Sequence, residues 1–86
     1  LFRVFQEALT NCAKHAHATS VVVRLQLDAR PIFLAISDNG NGFDTHDTTL
    51  QRGLGLVSMR ETVELAGGQL RVTSHPGRGT QVVVEI

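Results

Sequence analysis

The sequence predicts an α+β fold, a two-layer α/β sandwich with helices on one face of a mixed, mainly antiparallel sheet. Two observations lead to this prediction. Two segments with apolar residues at helical spacing are each followed by a pair of short strand-like segments. The strands of each pair are joined by only a few residues, as antiparallel neighbours are. A chain of 86 residues accommodates one small domain of this kind.

The first helix is predicted over residues 1–16. Its apolar residues share one side when each residue turns by about 100°, and they are Leu1, Phe5, Ala8, Leu9, Cys12 and Ala16. Glu7, Asn11 and Lys14 project together from the opposite side. Such a stripe is usually a solvated face. It also offers chemistry to a phosphate ligand, because an amide oxygen suits Mg²⁺, a lysine donates to phosphate, and a carboxylate can activate a group beside the metal.

The first pair of strands is predicted over residues 21–27 and 32–37. Residues 21–23 are three valines, and alternation of apolar and polar residues follows them. The segment between the two strands contains Asp28 and Pro31, which are typical of a turn. These features predict an antiparallel pair.

Residues 38–43 form a loop that carries Asp38 at the end of the second strand. Two glycines spaced by one residue after a strand often make only a turn. The alternative is a site for a flat ring with an exocyclic amine, such as adenine. Asp38 would accept a hydrogen bond from the amine, while Gly40 and Gly42 would let the backbone approach the ring. The residues alone leave both interpretations open.

Residues 44–52 are polar apart from Leu50, and we expect this segment to be mobile. A second helix is predicted to open at Gly53 and to end at the glycine pair 67–68. Its predicted buried face is Leu56, Met59 or Arg60, Val63 and Ala66. Ser58 and Glu61 also fit a capping box, which would start the helix later. Strands over 69–74 and 80–86, joined by a turn at 75–79, complete the chain.

The sequence Gly53-Leu54-Gly55 before a helix offers exposed N–H groups and the positive end of a helix dipole to phosphates. A glycine pair by itself is weak evidence for such a site. The lysine and hydroxyl residue of a P-loop do not follow it. The spacing from strand to helix also differs from that of a dinucleotide-binding fingerprint. These two common nucleotide folds are therefore excluded.

Composition excludes several other classes. The hydrophobic fraction of 42% and the net charge of zero are not those of a disordered chain. Eight basic residues are matched by eight acidic ones without a basic patch, which argues against nucleic-acid binding. The single cysteine cannot form an internal disulfide. The apolar runs are too short to cross a bilayer, so we expect a cytoplasmic domain. We also expect it to be part of a longer protein, which could be anchored in the cell membrane.

Four segments, taken in order, resemble the nucleotide-binding boxes of one family. They are Gln-Glu-Ala-Leu-Thr-Asn-Cys-Ala-Lys-His-Ala at 6–16, Asp-Asn-Gly-Asn-Gly-Phe at 38–43, Arg-Gly-Leu-Gly-Leu at 52–56 with Met-Arg-Glu at 59–61 and Gly-Gly at 67–68, and Gly-Arg-Gly-Thr at 77–80. Together they resemble the catalytic ATP-binding domain of sensor histidine kinases, in the superfamily shared with type II topoisomerases, Hsp90 and mismatch-repair ATPases. The residues of the boxes and the short lid between them are similar to those of the nitrate-sensor and desaturase-sensor type of histidine kinase.

The resemblance implies a Bergerat-type ATP-binding fold over residues 1–86, as a truncated ATPase domain without the leading strand and helix usual in the family. It implies that Asn11 binds Mg²⁺, that Glu7 lies beside the metal, and that Lys14 faces the phosphates. The adenine contacts implied are Asp38, Gly40, Gly42 and Thr80, the last through water. Gly53 and Gly55 are implied to admit the phosphates and to hinge the lid of residues 44–52, and Leu54 and Leu56 are implied as further cofactor-binding residues.

The reaction that the resemblance implies is transfer of the ATP γ-phosphoryl group to a histidine on a separate helical dimerisation domain of the same protein. A response regulator and a homodimeric full-length protein are implied as partners. Two alternatives remain at this stage. One is a serine kinase of the anti-sigma type from the same superfamily, and the other is a degenerate module that only binds partners.

Overall fold

The computed structural model describes residues 2–14 and 17–86, with the side chains of residues 3–12 in the first range. The helices are α1 (Phe2–Lys14), α2 (Thr48–Gly53) and α3 (Leu56–Leu65). The strands are β1 (Val21–Gln26), β2 (Phe33–Asp38), β3 (Gln69–Ser74) and β4 (Thr80–Glu85). Within the described ranges no helix combines the length and the apolar character needed to cross a membrane.

The described strands form a four-stranded sheet in the order β1-β2-β4-β3, and each neighbouring pair is antiparallel. The predicted α+β class with a mainly antiparallel sheet is confirmed. Because β4 lies between β2 and β3, Thr80 has Asp38 opposite it on one side and Ser74 on the other. Directly paired residues share a face of the sheet, so these three polar side chains form a row at one end.

The core lies between that face of the sheet and helices α1 and α3. The buried side chains that α1 contributes are Val4, Ala8 and Cys12, whereas Phe5 and Leu9 are only half-buried. The predicted apolar side of α1 omitted Val4, which is 1% exposed. The stripe of Glu7 and Asn11 was also expected to be a solvated face, yet both side chains are half-buried beside the start of α3.

Helix α3 begins at Leu56, with Gly55 as its N-cap in the left-handed conformation at φ 72°. The predicted opening at Gly53 is too early, because Gly53 ends α2, and the alternative start at Ser58 is too late. Of the two candidates for the buried face, Met59 is buried, and Arg60 is exposed with its guanidinium donating to the Leu70 carbonyl at 2.8 Å. Ala66 is exposed, contrary to the prediction, because the helix already ends at Leu65.

Helix α2 begins inside the segment expected to be mobile and ends one residue beyond it. Asp47 caps it by accepting from the Leu50 N–H at 3.0 Å, which is a common way for a helix to begin. The helix spans Thr48–Gly53 and has no buried residue. Its apolar content is too low for a hydrophobic periodicity to reveal it in the sequence.

Candidate functional site

A cavity of about 240 Å³ lies between α1, the end of the sheet and the α2–α3 junction. Most of its wall is apolar, and a few polar groups reach it from different elements. The lining residues are Ala8, Asn11, Cys12, Ile36, Asp38, Asn41, Gly42, Phe43, Leu50, Leu54, Leu56, Thr80 and Val82. An apolar hollow with few polar groups is the usual form of a small-molecule site.

Asp38 is the acidic group in the wall of this cavity. It closes β2, and the backbone turns directly after it, so that the Gly40 N–H donates to Oδ1 at 2.8 Å. The Cys12 thiol donates to Oδ2 at 3.3 Å. These two bonds fix the plane of the carboxylate. Gly40 thus acts through Asp38 and is not itself a lining residue of the cavity.

Cys12 connects α1 to this carboxylate. Burial, the hydrogen bond to Asp38 and the charge of Asp38 together raise the pKa of the Cys12 thiol from 9.0 to about 12. All three favour the protonated thiol, because a thiolate would be desolvated next to a negative charge. Cys12 is therefore a hydrogen-bond donor in this site and a poor nucleophile.

Asn39 anchors the loop that follows Asp38. Its side-chain oxygen accepts from the N–H groups of Thr19 and Ser20 at 3.0 and 2.9 Å, and its nitrogen donates to the Thr19 hydroxyl at 2.9 Å. The loop is therefore tied to the segment that leads into β1. This contact helps to hold Asp38 in place from outside the cavity.

Two glycines permit close approach of backbone segments around the cavity. Gly42 has φ +65°, and a Cβ there would collide with the carbonyl oxygen of His75. Gly79 has φ +80°, and a Cβ there would collide with the carbonyl oxygen of Asp38. Both conformations also disfavour any residue with a side chain. Gly42 was predicted from the sequence as a site residue, whereas Gly79 was not.

Ser74 and Thr80 make a polar cluster next to Asp38. The Ser74 hydroxyl accepts from the Phe43 N–H at 2.9 Å, donates to the Gly79 carbonyl at 3.1 Å, and lies 2.7 Å from the Thr80 hydroxyl. Thr80 was predicted as a site residue, whereas Ser74 was not. A signal was present, because Ser74 is a polar residue at an inward position of β3, in alternation with Leu70 and Val72.

Asn11 reaches the cavity from α1, and its side-chain nitrogen donates to the Leu54 carbonyl at 2.7 Å. This bond identifies the two ends of the amide, since only the nitrogen can donate to a carbonyl. The amide oxygen is the end that remains for another ligand. The same bond links α1 to the junction between α2 and α3, where Leu54 and Leu56 face the cavity.

Glu7 and Gly55 lie beside a smaller, separate hollow near the start of α3. A Cβ on Gly55 would lie 2.6 Å from Glu7 Oε1, so the carboxylate sits close to the N-cap. A carboxylate in this position is favoured by the helix dipole. Gly53 is exposed at the end of α2 and is not among the residues that line the cavity. The Lys14 side chain lies outside the described residues.

The geometry is accompanied by a clear family match. The whole chain, residues 1–86, matches the family of histidine kinase-, DNA gyrase B- and HSP90-like ATPases. The chain belongs to this family.

Several curated relatives are histidine kinases. A signal transduction histidine-protein kinase/phosphatase DegS from Brevibacillus brevis is 40% identical over 86 residues, which are 100% of this chain and 22% of that protein. The oxygen sensor histidine kinase NreB from Staphylococcus carnosus is 42% identical over 86 residues, which are 100% of this chain and 25% of that protein. The chain thus spans about a quarter of the length of these relatives.

Solved structures show the same fold. The ATP-binding domain of PrrB from Mycobacterium tuberculosis superposes with a TM-score of 0.76 at 26% identity, over 98% of this chain and 63% of that one. The histidine kinase domain of the blue-light activated kinase from Erythrobacter litoralis gives 0.72 at 30% identity, over 96% of this chain and 41% of that one. The predicted resemblance to histidine kinase ATP-binding domains and the predicted α/β sandwich are both confirmed.

Proposed function

We propose that the chain binds ATP in the cavity, with the adenine ring between the apolar walls and its amino group on Asp38. The observation that carries this proposal is a carboxylate, held by two hydrogen bonds, in a wall that is otherwise mainly apolar. A carboxylate accepts hydrogen bonds and does not donate them. It therefore suits an amino group better than a carbonyl. Thr80, opposite Asp38 in the sheet, supports the same contact directly or through water.

Asn11 is the residue that would hold Mg²⁺. Its nitrogen is committed to Leu54, so the neutral amide oxygen is the free end, and Mg²⁺ prefers oxygen ligands. Mg²⁺ bound there would neutralise charge on the phosphates and on the γ-phosphoryl group as it is transferred. Glu7, one turn earlier on α1, lies near the start of α3 and would order water beside the metal.

The α2–α3 junction would receive the phosphates. Gly55, at the start of α3, presents the N–H groups of a helix N-terminus, and Gly53 lies where α2 ends. Leu54 and Leu56 connect this junction to the cavity that would hold the base. Lys14, on the same face of α1 as Asn11 by sequence spacing, would add a positive charge near the phosphates. Residues 44–52 would act as the lid.

The reaction would be transfer of the γ-phosphoryl group from ATP to a histidine on a separate dimerisation domain of the same protein. This chain would contribute positioning and charge neutralisation, which dominate catalysis of phosphoryl transfer. The names of the relatives support the assignment to histidine kinases over the anti-sigma serine kinase or a degenerate module. In a two-component system a response regulator would be the next acceptor. The full-length protein would be a homodimer with this domain in the cytoplasm.

Titration calorimetry of the folded chain with ATP, in the presence of Mg²⁺ and after its removal by a chelator, tests this proposal. We expect binding in both conditions and tighter binding with Mg²⁺. GTP serves as the control nucleotide and should bind more weakly. A chain that is folded by circular dichroism and binds neither nucleotide would contradict the proposal.

A further inference from the structure

Ser74 is the buried polar side chain of the described residues, with an exposed fraction of 3%. Its hydroxyl forms hydrogen bonds with the Phe43 N–H, the Gly79 carbonyl and the Thr80 hydroxyl, at 2.9, 3.1 and 2.7 Å. Phe43 joins β3 to the loop after Asp38, Gly79 joins it to the turn that leads into β4, and Thr80 joins it to the start of β4. Ser74 does not line the cavity itself. Any effect on a ligand must therefore pass through a neighbour.

The chemistry of these partners favours one arrangement of the hydroxyl protons, in which every partner of Ser74 is satisfied. An N–H group only donates and a carbonyl only accepts, whereas a hydroxyl has one proton and two lone pairs. Ser74 thus uses one lone pair for Phe43 and its proton for Gly79. Either hydroxyl could donate in the Ser74–Thr80 contact, and with the Ser74 proton on Gly79 it is Thr80 that donates to Ser74. The Thr80 oxygen then has only lone pairs to offer the cavity.

We propose that Ser74 is a positioning residue that makes Thr80 an acceptor and thereby favours adenine over guanine. This inference rests on the proposed function, in which the base binds at Asp38. Adenine presents an amino group at the position where guanine presents a carbonyl oxygen. Asp38 and Thr80, facing each other in the sheet, would then both be acceptors, which suits the amino group and repels the carbonyl.

Without Ser74, the Thr80 hydroxyl is free to rotate and can donate to the carbonyl of guanine. Ser74→Ala should therefore lower the ratio of ATP to GTP affinity by about three- to tenfold, the effect of one neutral hydrogen bond. A purely structural role of Ser74 has a different signature. If Ser74 only holds Phe43 and Gly79 together, its loss weakens the binding of ATP and GTP equally. The ratio of the two affinities then stays unchanged.

The experiment measures ATP and GTP dissociation constants for the unaltered chain, Ser74→Ala and Ser74→Thr. The threonine variant keeps the hydroxyl and should keep the preference. Ser74→Ala leaves the buried Phe43 N–H without a partner and risks unfolding. Ser74→Cys is the substitute in that case, because it fills the space but accepts hydrogen bonds only weakly. It should shift the ratio in the same direction.

Thr80→Val provides the second arm. This variant removes the acceptor and should lower the ratio by itself, and Ser74→Ala added to Thr80→Val should lower it no further. An ATP-to-GTP affinity ratio that is unchanged in both Ser74→Ala and Ser74→Cys would overturn the inference. So would a ratio that Ser74→Ala lowers as much in the Thr80→Val variant as in the unaltered chain. Either result would leave the proposed function standing. Failure of the unaltered, folded chain to bind ATP would overturn both.

Discussion

The sheet wall and the helical wall of the cavity hold their polar groups in different ways. On the sheet side, Asp38, Ser74 and Thr80 lie on paired strands and have hydrogen-bond partners within the protein. On the helical side, a side-chain hydrogen bond from Asn11 to the Leu54 carbonyl joins α1 to the α2–α3 junction, and α2 buries no residue. The proposed base-binding side is therefore fixed in advance, whereas the proposed phosphate-binding side rests on a weakly anchored segment that a ligand could rearrange.

The largest expected effect concerns the rigidity of the sheet wall. Gly79→Ala should destabilise the chain by about 3 kcal/mol, because it combines a strained backbone with a collision against the Asp38 carbonyl. Gly77→Ala is the matched control, since Gly77 has the same φ of +80° but no atom near its Cβ position. That variant should lose about 1 kcal/mol. Urea denaturation measures both, and equal losses would show that close approach at Gly79 is not important.

A smaller effect is expected on the helical wall. Asn11→Ala should remove most of the gain in ATP affinity that Mg²⁺ provides, because the proposed oxygen ligand is lost. It should also cost about 1 kcal/mol of stability through the unpaired Leu54 carbonyl. Gln6→Ala removes an exposed amide from the same helix and should change neither quantity. ATP titrations of both variants with and without Mg²⁺ measure this gain in affinity. An unaltered Mg²⁺ dependence in Asn11→Ala would exclude Asn11 as a ligand of the metal.

The smallest effect is a pH dependence at the contact between the two walls. The Cys12 pKa is raised from 9.0 to about 12 in the folded chain, so the thiol favours folding below pH 9.0. As the pH rises from 9.0 towards 12, unfolded chains release the proton more readily, and this stability is lost. Cys12→Ala should reduce that decline. Thermal melts of both proteins between pH 8 and pH 11 give the comparison, and parallel curves would contradict the raised pKa.

The sheet wall was also easier to predict from the sequence than the helical wall. The strand boundaries follow from runs of apolar residues and from turn residues, and β3 was predicted with its observed bounds, 69–74. Asp38 follows from its place at the end of a strand. Ser74 was missed because its role depends on a tertiary contact with the distant Phe43 N–H and on the geometry of the turn to Gly79 and Thr80, although its inward position could have drawn attention to it.

The helical wall depends on contacts that a local pattern does not contain. Helix α2 begins at the Asp47 cap and has too few apolar residues for a periodic signal. The side of α1 that carries Glu7 and Asn11 looked like a solvated face because both residues are polar. They are half-buried because the start of α3 packs against them, and only the tertiary structure shows this.

The central claim is that Asp38 selects the base, and Asp38→Asn tests it most directly. In this variant the asparagine side-chain oxygen can still accept from the Gly40 N–H, as Oδ1 does in the unaltered chain. Its NH₂ group then takes the place of Oδ2, which accepts from the Cys12 thiol in the unaltered chain. Titration calorimetry should show ATP affinity about ten- to a hundredfold lower, with little preference left over GTP. Asp28→Asn, the same change in an exposed turn, should behave as the unaltered chain. An undiminished preference for ATP in Asp38→Asn would contradict the account.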